Sequence, residues 1–399
     1  MNIKNNKFIN LYKNIFSPQW KYGNLFLYVS ILISFSIIAY YNLSKGFVVA
    51  PDTSDYSKWS NNLINLDLNI FAYINQQGFA IQNIFYIIPV LIFALSKIFF
   101  GIEWQTSLLI LNIILVFFSF IFFSKSLLLL KVRPLVVSMT LPILVLSVDL
   151  LVWPRYLLTD TIFSFLTIMT VYLMILSIVK EKNYYFFLFF CFISLCFTRP
   201  TSFPYIFALI SLIALLKIFE EYKPKVILYI SLILIIIIPF ILAIFYQLMN
   251  FFFIESQQAI FLIEMVQKGM IIHDRPETWT EVPNTFLKLV KLYLLRFIFF
   301  FASYVENFSM IHIVLNLFQT FVIIVSILIW FFLGENFKFF NKTVTLIIIM
   351  SIFVASFHSF TLIDYDFRYR FPLIMPIILI FPISIEILLR KIAYESFKY

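Results

Sequence analysis

Charge, glycine and cysteine are all scarce in this 399-residue chain: 12% of its residues are charged, six are Gly and two are Cys. So little charge in a chain that is 62% hydrophobic excludes a soluble domain, which could not hide that much apolar surface. The two cysteines, Cys191 and Cys196, lie five apart in one apolar segment and face different ways on a helix, which excludes a disulfide framework and a zinc site. No GxSxG, Walker A, GxGxxG or HExxH pattern occurs. The short alternating segments of a β-barrel are missing too.

What the chain does have is apolar runs long enough to cross a bilayer, at 24–44, 105–130, 134–152, 160–179, 184–199, 202–217, 225–249, 309–333, 343–361 and 371–389. The expectation is one all-α, polytopic transmembrane helical bundle over 1–399, with about ten spans. Lys4, Lys7, Lys13 and Lys21 precede the first run, which has no small-residue cleavage site and reads as a signal anchor. The net charge of +9 is read as the positive-inside bias and attraction to anionic membrane lipids, with no nucleic-acid partner.

A further apolar stretch, Ile84–Phe100, is read as re-entrant or interfacial. With it not crossing, Lys131, Arg133, Lys180, Lys182, Lys217, Lys223, Lys225, Lys338, Lys342, Arg390, Lys391 and Lys398 all fall on the cytoplasmic side, with both termini. The outer side of this multi-pass cell-membrane protein then holds a first loop at 45–104 and a long loop at 250–308. Each is expected to carry an interfacial helix, at Ser57–Phe79 and Asn284–Phe301. That placement puts the chemistry-bearing residues on the outer face.

Pro51-Asp52-Thr53-Ser54-Asp55-Tyr56 is the acidic corner of the first loop. Asp52 is either an N-cap, with Asp55 closing a capping box, or a general base, with Tyr56 as a positioning group. Asp160 opens a span after Arg155; it is a cap, a partner of Arg155, or a second acid converging on the first, where two acids suit an acceptor or a divalent cation. Arg199 either snorkels or binds phosphate. In Asp364-Tyr365-Asp366-Phe367-Arg368-Tyr369-Arg370-Phe371-Pro372, the arginines run against the charge bias of that side, which suits an anion site; an internal Asp–Arg pair is the alternative. His273, Asp274, Arg275, Glu277 and Trp279 form a polar patch that is either a sugar contact or a solvated turn. His358, near a span end, keeps a membrane O-acyltransferase as a further alternative, and His312 also lies near a span end.

The Asp52/Tyr56 spacing, the later Asp160 and the Arg368-Tyr369-Arg370-Phe371-Pro372 run resemble the GT-C glycosyltransferases, which include the protein O-mannosyltransferases and lipid A aminoarabinose transferases. The resemblance covers most of the chain by architecture, on short motifs. It departs from the family where Asp52 is followed by Thr53 rather than a second acid, and where no large soluble C-terminal domain follows. It implies transfer of a sugar from a polyprenyl-phosphate donor to a lipid, glycan or protein acceptor at the outer face, with inversion. Asp52 would be the base, with Asp160 and Asp55 as acidic companions and Tyr56 beside them. Arg199, Arg368, Tyr369 and Arg370 would hold the donor phosphate. Lys288, Lys291 and Arg296 would guide the carrier headgroup. Mg²⁺ or Mn²⁺ is compatible with this reading without being required. A transporter or flippase, and a non-catalytic scaffold subunit, are the competing classes.

Overall fold

The computed structural model describes residues 22–76, 84–180, 184–218, 223–252, 257–303, 309–361 and 368–396. Among them the chain is helical from end to end, and its one β-type contact is a single parallel bridge between Val48 and Tyr156. Helices dominate because hydrocarbon offers no partner for backbone N–H and C=O groups, and a helix satisfies them within the segment. The protein is a polytopic all-α membrane protein. Among the described residues seven helices are long and apolar enough to cross a bilayer, or eight if one bent pair counts as a span.

In chain order the helices are α1 (Gly23–Lys45), α2 (Pro51–Asn65), α3 (Ile70–Gln76), α4 (Ile87–Phe100), α5 (Trp104–Leu129), α6 (Pro134–Val145), α7 (Val148–Val152), α8 (Asp160–Lys180), α9 (Tyr185–Cys196) and α10 (Phe203–Ile218). They continue as α11 (Pro224–Phe252), α12 (Gln257–Gln267), α13 (Phe286–Phe300), α14 (Met310–Leu333), α15 (Lys338–Phe360), α16 (Phe371–Ile378) and α17 (Ile380–Ser396). The core runs along α5, α8, α15 and α16–α17, whose inward faces are buried, whereas α11 and α14 leave most of their apolar surface outside.

Three of the expected runs take another form. The 134–152 run is broken at Leu146–Ser147: Pro134–Val145 and Val148–Arg155 meet at 73°. The 184–199 run is the 12-residue α9 and the 202–217 run the 16-residue α10. At about 1.5 Å per residue these rise roughly 18 and 24 Å, short of a bilayer core of about 30 Å. Arg199-Pro200 separates them, because a residue before proline is pushed out of the helical region.

Helix α4 does not continue straight into α5, although together they span 43 residues. Phe93 and Trp104 are eleven positions apart, about 16 Å along a straight helix, yet their rings lie 5.7 Å from centre to centre. The chain turns back at Gly101 (φ 53°, ψ −118°), a backbone conformation suited to glycine. Helix α4 packs on α2 instead, where Lys97 Nζ shares its three N–H groups among Ser57 O and Oγ, Ser60 Oγ and Asn61 Oδ1, each 2.8 Å away.

Two ends of the bundle carry charge. At one end lie Asp52, Asp160, Arg199 and Arg368. At the other, Glu386 (1% exposed) pairs with Arg133 at 3.4 Å and Arg390 at 2.8 Å, and Arg390 donates to Lys131 O at 2.6 Å. The 21 residues of α8 separate Asp160 from Lys180 by about 30 Å, one hydrocarbon thickness.

Candidate functional site

The acidic end is assembled by a backbone clamp. Val48 N donates to Arg155 O at 2.8 Å and Leu157 N to Val48 O at 3.1 Å. Arg155 Nε and Nη2 donate to Gly46 O and Lys45 O, each at 3.1 Å. Asn112 Nδ2, from α5, donates to Pro154 O at 3.0 Å and Tyr156 O at 3.2 Å, holding the same loop from the other side. The clamp sets the N-terminus of α2 beside that of α8, so both helix dipoles favour the carboxylates placed there.

Neither acid is the cap. Ala50 is the N-cap of α2; its N–H donates to Thr53 Oγ1 at 3.0 Å, and that hydroxyl donates to Leu157 O at 2.9 Å. Asp52 is thus left in the first turn with its side chain free for other contacts. Helix α8 begins at Asp160, one residue after Thr159, whose carbonyl accepts from Phe163 N at 2.9 Å. Arg155 is committed to the clamp, so Asp160 finds different partners.

Those partners are Arg199, whose Nη1 donates to Oδ1, and Arg368, whose Nε lies 3.2 Å from Oδ2 and 3.3 Å from Oδ1. Arg368 Nη2 reaches Asp52 Oδ2 at 2.7 Å. One guanidinium therefore bridges two carboxylates 108 residues apart in the chain, each in the first turn of its helix. The pairing is needed inside: Asp160 and Arg199 are 1% and 2% exposed, and an unpaired charge at that depth would be costly. The Asp52 side chain is 44% exposed, so it is the acid of the pair that reaches the surface.

Aromatic rings wall the cluster. The Arg199 guanidinium lies 4.8 Å from the centre of the Tyr369 ring, and Tyr369 stacks on His358 at 4.5 Å, which stacks on Phe300 at 5.6 Å. His358 is thus a buried ring in an aromatic pile. Tyr56 is 3% exposed between Trp59, Tyr86 and Phe93. Burial pushes its phenol far above the ordinary value, so it stays protonated and acts as a wall.

The remaining candidates sit elsewhere. Asp55 pairs with Lys58 at 3.6 Å on the outside of α2. Arg370 turns away from Arg368: it donates to Ala302 O at 2.6 Å and lies 3.7 Å from Asp149. Arg296 is 1% exposed, donating to Met270 O at 2.7 Å and Ser359 O at 3.2 Å, so it braces the interior and does not reach a headgroup. Helix α13, expected as an interfacial helix, buries the face bearing Leu289, Tyr293 and Phe297. Lys288 and Lys291 remain exposed on its other face, with Lys288 Nζ 2.9 Å from Glu281. The His273 patch closes on itself: His273 meets Asp274 at 3.2 Å, Arg275 meets Glu277 at 3.7 Å, and Trp279 Nε1 donates to Ile272 O at 3.1 Å. Asp364 and Asp366 lie outside the described residues.

The residues present do not fit a divalent cation between Asp52 and Asp160, because Arg368 already bridges them. Among the described residues no group of three His, Cys, Asp or Glu side chains converges. Sequence reasoning missed Asp149 and Glu386 as partners of Arg370 and of Arg133 with Arg390. A lone acid inside an apolar run was the available signal for both. No family model matches this chain, and no curated protein or solved structure matches it.

Proposed function

We propose that the chain is a membrane glycosyltransferase of GT-C type, moving a sugar from a polyprenyl-phosphate donor to a lipid, glycan or protein acceptor at the outer face. The observation that carries this reading is the meeting of Asp52, Asp160, Arg199 and Arg368 at one end of the bundle, with Asp52 alone well exposed. The outer-face assignment rests on the basic clusters at the opposite end. In this topology α4 stays on the outer side, and α9 and α10 cross as a short pair, for about ten spans.

The network suggests how the parts divide. Asp160 is enclosed between two arginines, so its part is to orient them. Arg368 has one face on Asp160 and one on Asp52. A donor phosphate entering between two helix N-termini would draw Arg368 towards itself in bidentate fashion. Asp52 would then be released as a general base for the acceptor, while Arg368 offsets charge developing on the leaving lipid phosphate. Arg199, buried beneath Asp160, supports the carboxylate.

The test is transfer from a polyprenyl-phosphate sugar in reconstituted membranes. Asp52→Asn keeps the shape and removes the base, so the rate should fall about 10²–10⁴-fold with folding intact. Wild-type rates in that variant would remove Asp52 from the chemistry. The bent α6–α7 pair, with Asp149 at its break, is the feature that favours a transporter or flippase instead. Substrate flux in proteoliposomes without a glycosyl product would establish that reading.

A further inference from the structure

A second feature stands apart from the acidic cluster. A cavity of about 440 Å³ lies between α11, α13, α14, α15 and α16–α17. Its polar end is formed by Asn316, Thr320, Ser303 and Arg370. Away from that end the lining is mostly aliphatic, with Ile327, Ile348, Ile380 and Leu228 and the hydroxyls of Ser231 and Ser351 among them. Ile380 and Ile327 lie ten and eleven residues beyond Arg370 and Asn316, so the chamber runs about 15 Å along the helices from a polar end to an apolar one. It is large enough for a ligand, and it opens sideways between α11 and α14, where Leu232 and Ile324 are 47% and 52% exposed.

The polar end is incompletely satisfied. Asn316 is 5% exposed and lines the cavity, and its Nδ2 has no hydrogen-bond partner among the described residues. A buried amide donor left unpaired is costly, which marks a place where a ligand oxygen belongs. The cationic side chain at this end is Arg370, beside Asp149. The separation from the acidic cluster follows from the Arg368–Arg370 turn, whose two arginines point to different partners: Arg368 to Asp52 and Asp160, Arg370 to Asp149 and Ala302.

We propose that this cavity is a lipid-chain site, taking one apolar chain of a membrane amphiphile whose oxygen-bearing head accepts from Asn316 and faces Arg370. The lateral opening admits the chain from the surrounding bilayer, and the polarity gradient sets its direction, head towards Arg370 and tail towards Ile380. The proposal does not depend on glycosyl transfer. An isoprenoid and an acyl chain share the required chemistry.

The test uses the purified full chain in detergent, with dodecyl phosphate and farnesyl phosphate as probes, read by native mass spectrometry and by the rise in unfolding temperature on binding. One probe molecule is expected to be retained. Asn316→Leu removes the donor and should weaken retention about 3–10-fold. Ile324→Trp at the mouth and Ile377→Phe in the wall should weaken it through lost volume, each checked for an unchanged unfolding temperature without probe. Asp52→Asn should retain the probe as the wild type does. Preference for farnesyl phosphate identifies an isoprenoid occupant, and preference for dodecyl phosphate an acyl one. Retention unaffected by both filling variants, retention lost in Asp52→Asn, or displacement by inorganic phosphate alone would overturn the proposal. An inactive cavity with an active Asp52-dependent enzyme, or the reverse, separates this proposal from the functional one.

Discussion

At the residue scale, the decisive difference is between Asp52 and Asp160, two aspartates with similar surroundings in the sequence. Both lie in the first turn of a helix and both touch Arg368, but one is exposed and the other is enclosed. Replacing the enclosed one should be felt in stability. Asp160→Asn leaves Arg199 buried without its counter-charge, which should cost about 3–5 kcal/mol in denaturant unfolding. The comparison is Asp55→Asn, which removes only an exposed pair with Lys58 and should leave unfolding unchanged. Equal effects of the two would mean that the Asp160 network carries no structural load. Neither acid's partner was legible locally, since Arg199 and Arg368 lie 39 and 208 positions from Asp160.

At the scale of elements, α4 shows how one residue directs an apolar run. Charge bias sets 84–100 apart from the 105–130 run as a segment that does not cross, and the turn at Gly101 sends α4 back along α2. The φ of 53° with ψ of −118° is strained for any residue with a Cβ, even though nothing lies within 4 Å of where that atom would be. Gly101→Ala should therefore cost about 1–3 kcal/mol through backbone strain alone. It should also loosen the α2–α4 contact through Lys97, seen as faster hydrogen exchange in 51–65. Unchanged stability and exchange would show that the turn is not held by glycine. Helix α13 keeps Lys288 and Lys291 exposed on one face, and Tyr293, Arg296 and Phe297 on the other pack inward.

For the whole molecule, the two charged ends are about one hydrocarbon thickness apart, and the proposed orientation makes the acidic end external. Lys58 has a 75% exposed side chain on α2, and Lys131 is exposed at the basic end. In a cysteine-free background, Lys58→Cys should react with an impermeant maleimide added to intact cells, and Lys131→Cys only after lysis. The opposite pattern would invert the topology and move the acidic cluster to the cytoplasmic side, away from any donor presented outside.

The amino-acid sequence by itself determined the membrane class, the all-α architecture and the positions of most long helices, because hydrocarbon imposes a length and a polarity that can be read from composition alone. It also picked out Asp52, Asp160, Arg199 and Arg368, charges at the ends of apolar runs, while passing over Asp149 and Glu386 within them. The tertiary structure decided everything that depends on pairing across the chain. It put Arg368 between two acids, gave the cap of α2 to Ala50 and Thr53, turned Arg370 towards Asp149, drew Arg296 inside and opened a chamber beside Asn316. Those outcomes follow from which helices pack together, a matter of long-range contacts that no local spacing records.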